Sequence, residues 1–137
     1  MRNIAYVVAV LLLVASGYAI AASERTIDSS NEFGGITKES VYSMGDGQYK
    51  EGTLKSVRFF DSNGILRKRE EYYTDDYAKE KGVEKLFIYI DSNGKLVKME
   101  GYSTDTYTKE KGIAKMVIYS DSNKKTEMYD QNGNLLQ

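Results

Sequence analysis

The side chains able to do chemistry in this sequence are carboxylates, lysines, tyrosines, serines and threonines, because the chain contains no His and no Cys. Ser-His-Asp and Cys-His sites therefore cannot form, and neither can the usual zinc, copper or haem ligand sets. A carboxylate pair that cleaves glycosidic bonds needs a concave, partly dry site that separates two pKa values. Short repeated segments are poorly suited to enclosing one. We therefore predict no enzymatic activity, no catalytic residue and no cofactor, with a carboxylate glycoside hydrolase as the least favoured alternative.

The acidic sequence Asp-Ser-Asn-Gly occurs at residues 61–64 and 91–94, and a third copy ends in Lys at residue 124. A calcium-binding EF-hand loop needs oxygen ligands at alternate positions, yet the next alternate residues here are Ile65 and Lys95. The same four residues suit a type I turn, in which Asp accepts from backbone N–H groups and Gly adopts the left-handed conformation of a bulge. We therefore predict hairpin turns and no metal site.

Tyrosines recur at fixed spacing and supply the candidate binding surface. Tyr rings offer apolar area with a polar handle, which suits a glycan or a protein partner. The alternative is cross-strand packing that replaces a thick core, and we favour packing for Tyr89 and Tyr119. The residues assigned to the candidate binding surface are Tyr77 and Tyr107, which fall in loops, together with Tyr72 and Tyr102.

These motifs recur because the chain contains an internal duplication. Residues 62–91, SNGILRKREEYYTDDYAKEKGVEKLFIYID, align without a gap to residues 92–121, SNGKLVKMEGYSTDTYTKEKGIAKMVIYSD. A fainter copy covers about residues 32–61, and a truncated copy covers residues 122–137. Atypical first and last copies are expected of terminal repeats that cap a stack. The sequence therefore predicts an array of units of about 30 residues.

Each unit contains two strand patterns and two kinds of connection. Strands are favoured where Val, Ile, Phe and Tyr are enriched or where turn residues bound a segment. The longer connections, residues 74–82 and 104–112, begin with Thr in an N-cap position and end in Lys and Gly, which favours one or two helical turns. The predicted fold is all-β: an antiparallel β-meander of tandem hairpin repeats with short helical loops. Because both strand faces are partly apolar, we expect a single or strongly curled sheet with a small core.

The first 21 residues have the pattern of a secretory signal peptide. An uncharged apolar run follows Arg2, and Ala19-Ile20-Ala21 gives the small-x-small pattern of a cleavage site. The alternative is an uncleaved membrane anchor, because residues 4–22 are nearly long enough to span a bilayer of roughly 30 Å. We expect a signal helix over residues 1–21, a flexible leader over 22–38 and a β-hairpin repeat domain over 39–137. The predicted location is the periplasm or the outside of a bacterial cell.

The charge balance restricts the classes of partner, and the absence of Cys restricts the interactions that can hold the fold together. Without the first 21 residues the chain retains 18 basic and 20 acidic residues, which are mixed along the sequence. This balance gives no electrostatic case for binding nucleic acid or for a polybasic patch that binds a membrane. An exported domain without Cys must be held together by burial and backbone hydrogen bonds rather than by disulfides.

The hairpin turns resemble known repeat families. Residues 128–136, MYDQNGNLL, are similar to the YD-type repeat Tyr-Asp-x-x-Gly-x-Leu, and residues 89–96, YIDSNGKL, resemble the hairpin units of MORN-like and antitoxin-repeat proteins. The resemblance implies strands used as an extended scaffold or binding surface, and it implies no catalytic residue. We therefore expect a binding or scaffold module for a protein or glycan partner. The alternative is a structural element of the cell envelope or extracellular matrix that self-associates edge to edge.

Overall fold

A computed structural model of the chain describes residues 23–121, 123 and 125–137. These residues form eight strands and three short helices. In chain order the elements are β1 (Ser23–Asp28), β2 (Gly34–Val41), α1 (Gly47–Lys50), β3 (Thr53–Asp61), β4 (Leu66–Tyr73), α2 (Asp75–Lys81), β5 (Val83–Ile90), β6 (Leu96–Ser103), α3 (Asp105–Lys111), β7 (Lys115–Tyr119) and β8 (Thr126–Tyr129). The signal helix predicted over residues 1–21 lies outside the described residues.

The strands form one open antiparallel sheet in which each strand lies beside its neighbours in sequence, in the order β1 to β8. The predicted all-β class and meander arrangement are confirmed. Strands that follow one another in the chain can pair in this way because antiparallel strands need only short connections. Within the described ranges, no helix combines the length and the apolar character needed to cross a membrane.

The predicted hairpin turns are confirmed at the two Asp-Ser-Asn-Gly sequences. Oδ1 of Asp61 accepts hydrogen bonds from the backbone N–H of Asn63 at 2.9 Å and of Ile65 at 3.0 Å. Asp91 accepts the equivalent pair of hydrogen bonds in the next hairpin. Gly64 has a φ of +77°, which costs little only for glycine. The side chains of these two aspartates therefore accept hydrogen bonds from backbone N–H groups of their own turns.

The two longer connections form the predicted short helices. At the start of α2, Oγ1 of Thr74 accepts a hydrogen bond from the backbone N–H of Tyr77, and the helix ends at Gly82 with a φ of +75°. Helix α3 has the same N-cap at Thr104 and the same left-handed C-cap at Gly112. The residue types at the two ends therefore determine where each helix starts and stops.

Helices α2 and α3 also pack against the connection before them. The ring of Tyr77 covers Gly52 so closely that a Cβ at residue 52 would lie 2.2 Å from Cδ2 of the ring. The ring of Tyr107 covers Gly82 in the same way, with a corresponding distance of 2.5 Å. Both glycines have a positive φ, so the backbone conformation and the ring each disfavour a side chain there. The connections thus stack against one another at one end of the sheet.

The structure corrects the flexible leader expected over residues 22–38, because β1 and most of β2 lie there. Asn31 orders their connection: its Oδ1 accepts from the backbone N–H of Phe33 at 2.8 Å, and its Nδ2 donates to the carbonyl oxygens of Ile36 and Phe60. Ser, Gly and Asn are common in tight turns as well as in flexible segments. The Ser, Gly and Asn residues of this segment therefore form a turn between two strands and not a flexible leader.

The paired residues of neighbouring strands define two faces of the sheet, because directly paired side chains lie on the same face. Face A carries the row Glu39, Val57, Glu70, Phe87, Glu100, Val117 and Glu127. Face B carries the row Ser40, Ser56, Glu71, Leu86, Gly101, Met116 and Met128.

The core lies on face B and is small, as expected. Its buried apolar cluster consists of Tyr73, Leu86, Ile88 and Met99. Towards β3 the same face becomes polar at Glu71, which is 2% exposed. The carboxylate of Glu71 accepts a hydrogen bond from the Ser56 hydroxyl at 3.1 Å and forms an ion pair with Arg69. Burial of a charge is costly unless it is paired in this way.

The two edges of the sheet differ. At the β8 edge, the backbone N–H of Met128 donates to the carbonyl oxygen of Gln137 at 2.9 Å, and the N–H of Leu136 donates to that of Met128 at 2.7 Å. Residues 136 and 137 therefore pair with β8 at this edge. In the part of the chain that the structure describes, β1 pairs on one side only, with β2, and all six of its residues are exposed.

Candidate binding surface

Face A carries glutamates that alternate with apolar residues across the strands and bind lysines. Each of three glutamates pairs with the lysine two residues before it in the chain. The pairs are Lys68 with Glu70 at 2.8 Å, Lys98 with Glu100 at 2.8 Å and Lys125 with Glu127 at 2.6 Å. The opposite charges on this face are therefore largely matched within the sheet.

Tyrosine hydroxyls complete these clusters, as Glu100 illustrates. Its Oε2 accepts hydrogen bonds from the hydroxyls of Tyr102 at 2.8 Å and Tyr89 at 3.4 Å. Burial raises the pKa of Glu100, but the hydrogen bonds from Lys98 and Tyr102 outweigh it, so that the pKa lies below its ordinary value. Burial and the neighbouring carboxylate Glu100 raise the pKa of Tyr89 to about 12. Glu100 is therefore an ionised acceptor, whereas a carboxyl general acid needs a raised pKa.

Lysine ammonium groups lie over the aromatic rings of face A. The pairs, with the distance from Nζ to the ring centroid, are Lys55 and Tyr72 at 4.6 Å, Lys85 and Tyr102 at 4.9 Å, and Lys115 and Tyr129 at 4.5 Å. An ammonium at this distance is attracted by the negative face of the ring. Each of these three Tyr rings therefore has a cation over it, and together they do not form a bare aromatic platform.

A groove lies at the end of the sheet that carries the helices, beside α2 and the first residues of β5. We call it the first groove, and its volume is about 640 Å³. Its apolar part is formed by Leu54, Tyr72, Tyr73 and Ala78. Tyr73 and Ala78 are each 9% exposed, whereas Leu54 is 42% exposed. A concave volume of this size with an apolar lining and a few polar groups is typical of binding sites.

The charged part of the first groove consists of Asp75 and Lys79 on α2 and Glu84 and Lys85 on β5. Within the described residues, none of these four has an oppositely charged group within 4 Å. The lysines that pair with glutamates on face A each have an opposite charge nearby, whereas these four groove residues, in the part of the chain that the structure describes, do not. Two positive and two negative side chains therefore surround the apolar part without satisfying one another.

A second groove, with a volume of about 230 Å³, is formed by residues at the aligned positions of the following segment. Tyr102, Asp105 and Lys109 take the places of Tyr72, Asp75 and Lys79. The apolar residues Leu54, Tyr73 and Ala78 are replaced by Glu84, Ser103 and Thr108. The second groove is therefore smaller and lacks most of the apolar lining.

The structure separates the four tyrosines that the sequence assigns to a binding surface. Tyr72 lines the first groove and Tyr102 lines the second. Tyr77 and Tyr107 cover glycines of the preceding connections instead, and the ring of Tyr77 lies 4.6 Å from that of Tyr73. In the described part of the chain, neither Tyr77 nor Tyr107 lines either groove.

Sequence reasoning missed Leu54, Tyr73 and Ala78. The signal that could have found them was the difference between aligned positions, since Leu54 aligns with Glu84 and Ala78 with Thr108. Residues that recur between the aligned segments identify the shared turns and helices, whereas the first groove depends on residues that differ between the segments. The buried Tyr73, which aligns with Ser103, is such a difference.

The grooves carry charged, hydroxyl and apolar side chains. Among the residues that the structure describes, no three Asp or Glu side chains are grouped so that they could hold a metal ion. Apolar surface and charges of both signs are what the first groove offers. Comparison of the chain with protein-family models, curated proteins and solved structures gives no match. The resemblance to MORN-like and YD-type repeats stays a prediction, and the inferred function depends on the site itself.

Proposed function

We propose that this chain is an exported repeat protein that binds a macromolecular partner in the first groove and catalyses no reaction. The observation that carries the proposal is the combination, in one concave site, of an apolar part with four charged side chains that have no opposite charge within 4 Å among the described residues. Unmatched charges around an apolar surface favour association, because a partner can bury the apolar part and pair the charges. Export is supported by the signal-peptide pattern of residues 1–21.

The position of the groove on rigid elements supports the same proposal. Helix α2 is fixed by its N-cap at Thr74 and by the left-handed cap at Gly82. Its Tyr77 is held against Gly52 and Tyr73. The groove walls are therefore ordered before a partner arrives, which reduces the entropy lost on binding.

Site-specific photo-crosslinking in the cells that produce the protein tests this proposal. A photoreactive amino acid placed at Leu54 should give a discrete adduct of higher mass, because that side chain borders the groove. The matched control is Val97, which is equally apolar and 44% exposed against 42% for Leu54, but lies outside the first groove. Equal adducts from both positions, or none from Leu54, would count against the groove as the binding site.

A second candidate function is self-association through the edge of the sheet, and the exposed β1 supports it. Because residues 136 and 137 pair with β8 at the other edge, pairing through β1 would give a dimer rather than a fibre. Sedimentation across a range of concentrations tests this idea. A dimer favours pairing through β1, a strict monomer favours binding of another molecule, and larger oligomers would contradict both.

A further inference from the structure

We infer that the partner in the first groove is a polypeptide rather than a glycan, and that it inserts one apolar side chain flanked by charged residues of both signs. The inference rests on the proposed function and specifies the chemistry of the ligand.

The aromatic rings of the first groove argue against a glycan. A sugar ring binds an aromatic side chain by stacking on its bare face. Nζ of Lys55 lies 4.6 Å from the centroid of Tyr72, and Phe87 meets the same ring edge to face at 6.3 Å. Tyr73 is 9% exposed and packs against Tyr77 at a tilt of 36°. The groove therefore offers a sugar no fully exposed aromatic ring on which to stack, because Tyr72 has a cation over one face and Tyr73 is buried.

The charges of the groove argue for a polypeptide. Asp75 and Lys79 lie one turn apart on α2, and Glu84 and Lys85 are neighbours on β5, so both walls carry both signs. The hydroxyls of a neutral glycan can hydrogen-bond to these side chains, but such a glycan brings no opposite charge to any of the four. An acidic glycan would place its charge beside Asp75 and Glu84. A polypeptide carries both acidic and basic side chains close together, so it can match both walls.

The shape of the apolar part indicates what the polypeptide inserts. Ala78 and Leu54 both line the groove, where Ala78 is a small side chain and Leu54 provides exposed apolar surface. The aligned position of Ala78 in the second groove is Thr108, whose hydroxyl donates to the carbonyl oxygen of Thr104 at 3.0 Å. The aligned position of Leu54 is Glu84. Of the two grooves, the first therefore keeps space and apolar contact for one side chain.

Two probes applied to the purified full chain test the inference. One probe is a random-peptide library displayed on phage, and the other is an array of neutral and acidic oligosaccharides. We expect enriched peptides that carry an apolar residue between a basic and an acidic one, and no oligosaccharide binding. Leu54→Glu should weaken the best peptide roughly tenfold to a hundredfold, because an apolar contact is lost and a charge is introduced.

Two further variants make the result specific. Val97→Glu makes the same kind of change at an equally exposed apolar residue outside the groove, and it should leave the peptide affinity unchanged. Ala78→Thr introduces the residue of the second groove at a buried position, and it should weaken the peptide as Leu54→Glu does. Circular dichroism of each variant checks that the sheet is retained.

Three outcomes would overturn the inference. Oligosaccharide binding that Leu54→Glu abolishes, without peptide enrichment, would keep the proposed function and replace the polypeptide by a glycan. Peptide binding that neither Leu54→Glu nor Ala78→Thr weakens would move the polypeptide out of the groove. Binding of neither class would reject the polypeptide, while adducts from photo-crosslinking at Leu54 would still decide whether the groove binds a partner.

Discussion

The two aligned segments, residues 62–91 and 92–121, form the same capped helix but different grooves. Both contain a Thr N-cap, a seven-residue helix and a left-handed glycine after it. The grooves beside the two helices nevertheless differ, at about 640 Å³ and 230 Å³. The helix and its caps recur, so the difference arises from the side chains around them and from the strand that follows, which has eight residues in β5 and five in β7. Residues that recur build the frame, and residues that differ decide whether the frame contains a site.

The frame recurs because backbone geometry restricts its residues. A Thr side chain satisfies an N–H group at the helix start, and glycine tolerates the positive φ after the helix. Groove residues are under no such restriction, so Tyr73 and Ser103 can occupy aligned positions in the same backbone. Substitutions at residues that differ between the two segments, or that sit in different surroundings in each, can therefore separate the frame from the groove.

Tyr73→Ser should have the largest effect on stability. It gives the first segment the residue of the second, but Tyr73 belongs to the buried cluster on face B and is 9% exposed. Removing a buried aromatic side chain leaves a cavity and costs about 3–5 kcal/mol of unfolding free energy. Urea denaturation of wild type and variant measures this cost.

Tyr73→Phe is the control for that experiment. The hydroxyl of Tyr73 is buried and has no hydrogen-bond partner among the described residues, so removing it should leave stability unchanged or raise it. If Tyr73→Ser cost no more than Tyr73→Phe, the ring would not belong to the core, and the difference between the grooves would need another cause.

Gly82→Ala and Gly112→Ala should differ although both glycines have a φ of +75°. Each change costs about 1–2 kcal/mol, because alanine disfavours the left-handed conformation. At Gly82 a Cβ would also lie 2.5 Å from the Tyr107 ring, whereas at Gly112 it would meet nothing within 4 Å. Displacing the ring adds about 1–3 kcal/mol at Gly82 only.

Thermal or urea unfolding of the two glycine variants measures the difference. The control is Gly82→Ala combined with Tyr107→Ala, compared with Tyr107→Ala alone. Without the ring, the cost at Gly82 should fall to that at Gly112. Equal costs in the wild-type background would mean that Tyr107 does not hold its position over Gly82, and that the helices stack less tightly than the distances indicate.

The frame could be predicted from the sequence, and the groove could not. The turn at Asp61 and the helix cap at Thr74 depend on residues within four positions of one another, so local residue types were sufficient. The first groove brings together Leu54, Ala78 and Glu84 from β3, α2 and β5. Their proximity depends on strand register, which a single sequence does not show.

Tyr77 shows the same limit for a residue that the sequence assigned to the binding surface. Its position in a loop suggested a residue that contacts a partner, but the ring lies on Gly52, 25 residues earlier in the chain. A glycine with positive φ can be expected after a helix or turn. The ring that covers it cannot be identified until the strands are paired.

The smallest predicted effect is a change in how stability depends on pH, and it comes from Glu71. This residue aligns with Gly101 in the second segment. Burial raises the pKa of Glu71 above its ordinary value of 4.5, although Arg69 and the hydrogen bond from Ser56 oppose the shift. As pH rises above 4.5, the unfolded chain loses this proton while the folded chain keeps it. The unfolding free energy therefore falls with rising pH, by at most about 1.4 kcal/mol per pH unit, until the folded pKa is passed.

Glu71→Gln should remove that fall, and Glu100→Gln provides a control of opposite sign. The hydrogen bonds from Lys98 and Tyr102 outweigh burial and lower the pKa of Glu100, so its contribution to stability increases as pH rises towards 4.5 and is constant above it. Urea denaturation between about pH 3 and pH 7 separates the two carboxyls, because their contributions change on opposite sides of the ordinary glutamate pKa. If the Glu71→Gln curve ran parallel to that of the wild type above pH 4.5, Glu71 would be ionised in the folded protein at the same pH as in the unfolded chain. The ion pair with Arg69 would then fully offset the effect of burial on the pKa of Glu71. The carboxylate that the first segment has where the second has Gly101 would then cause no loss of unfolding free energy as pH rises.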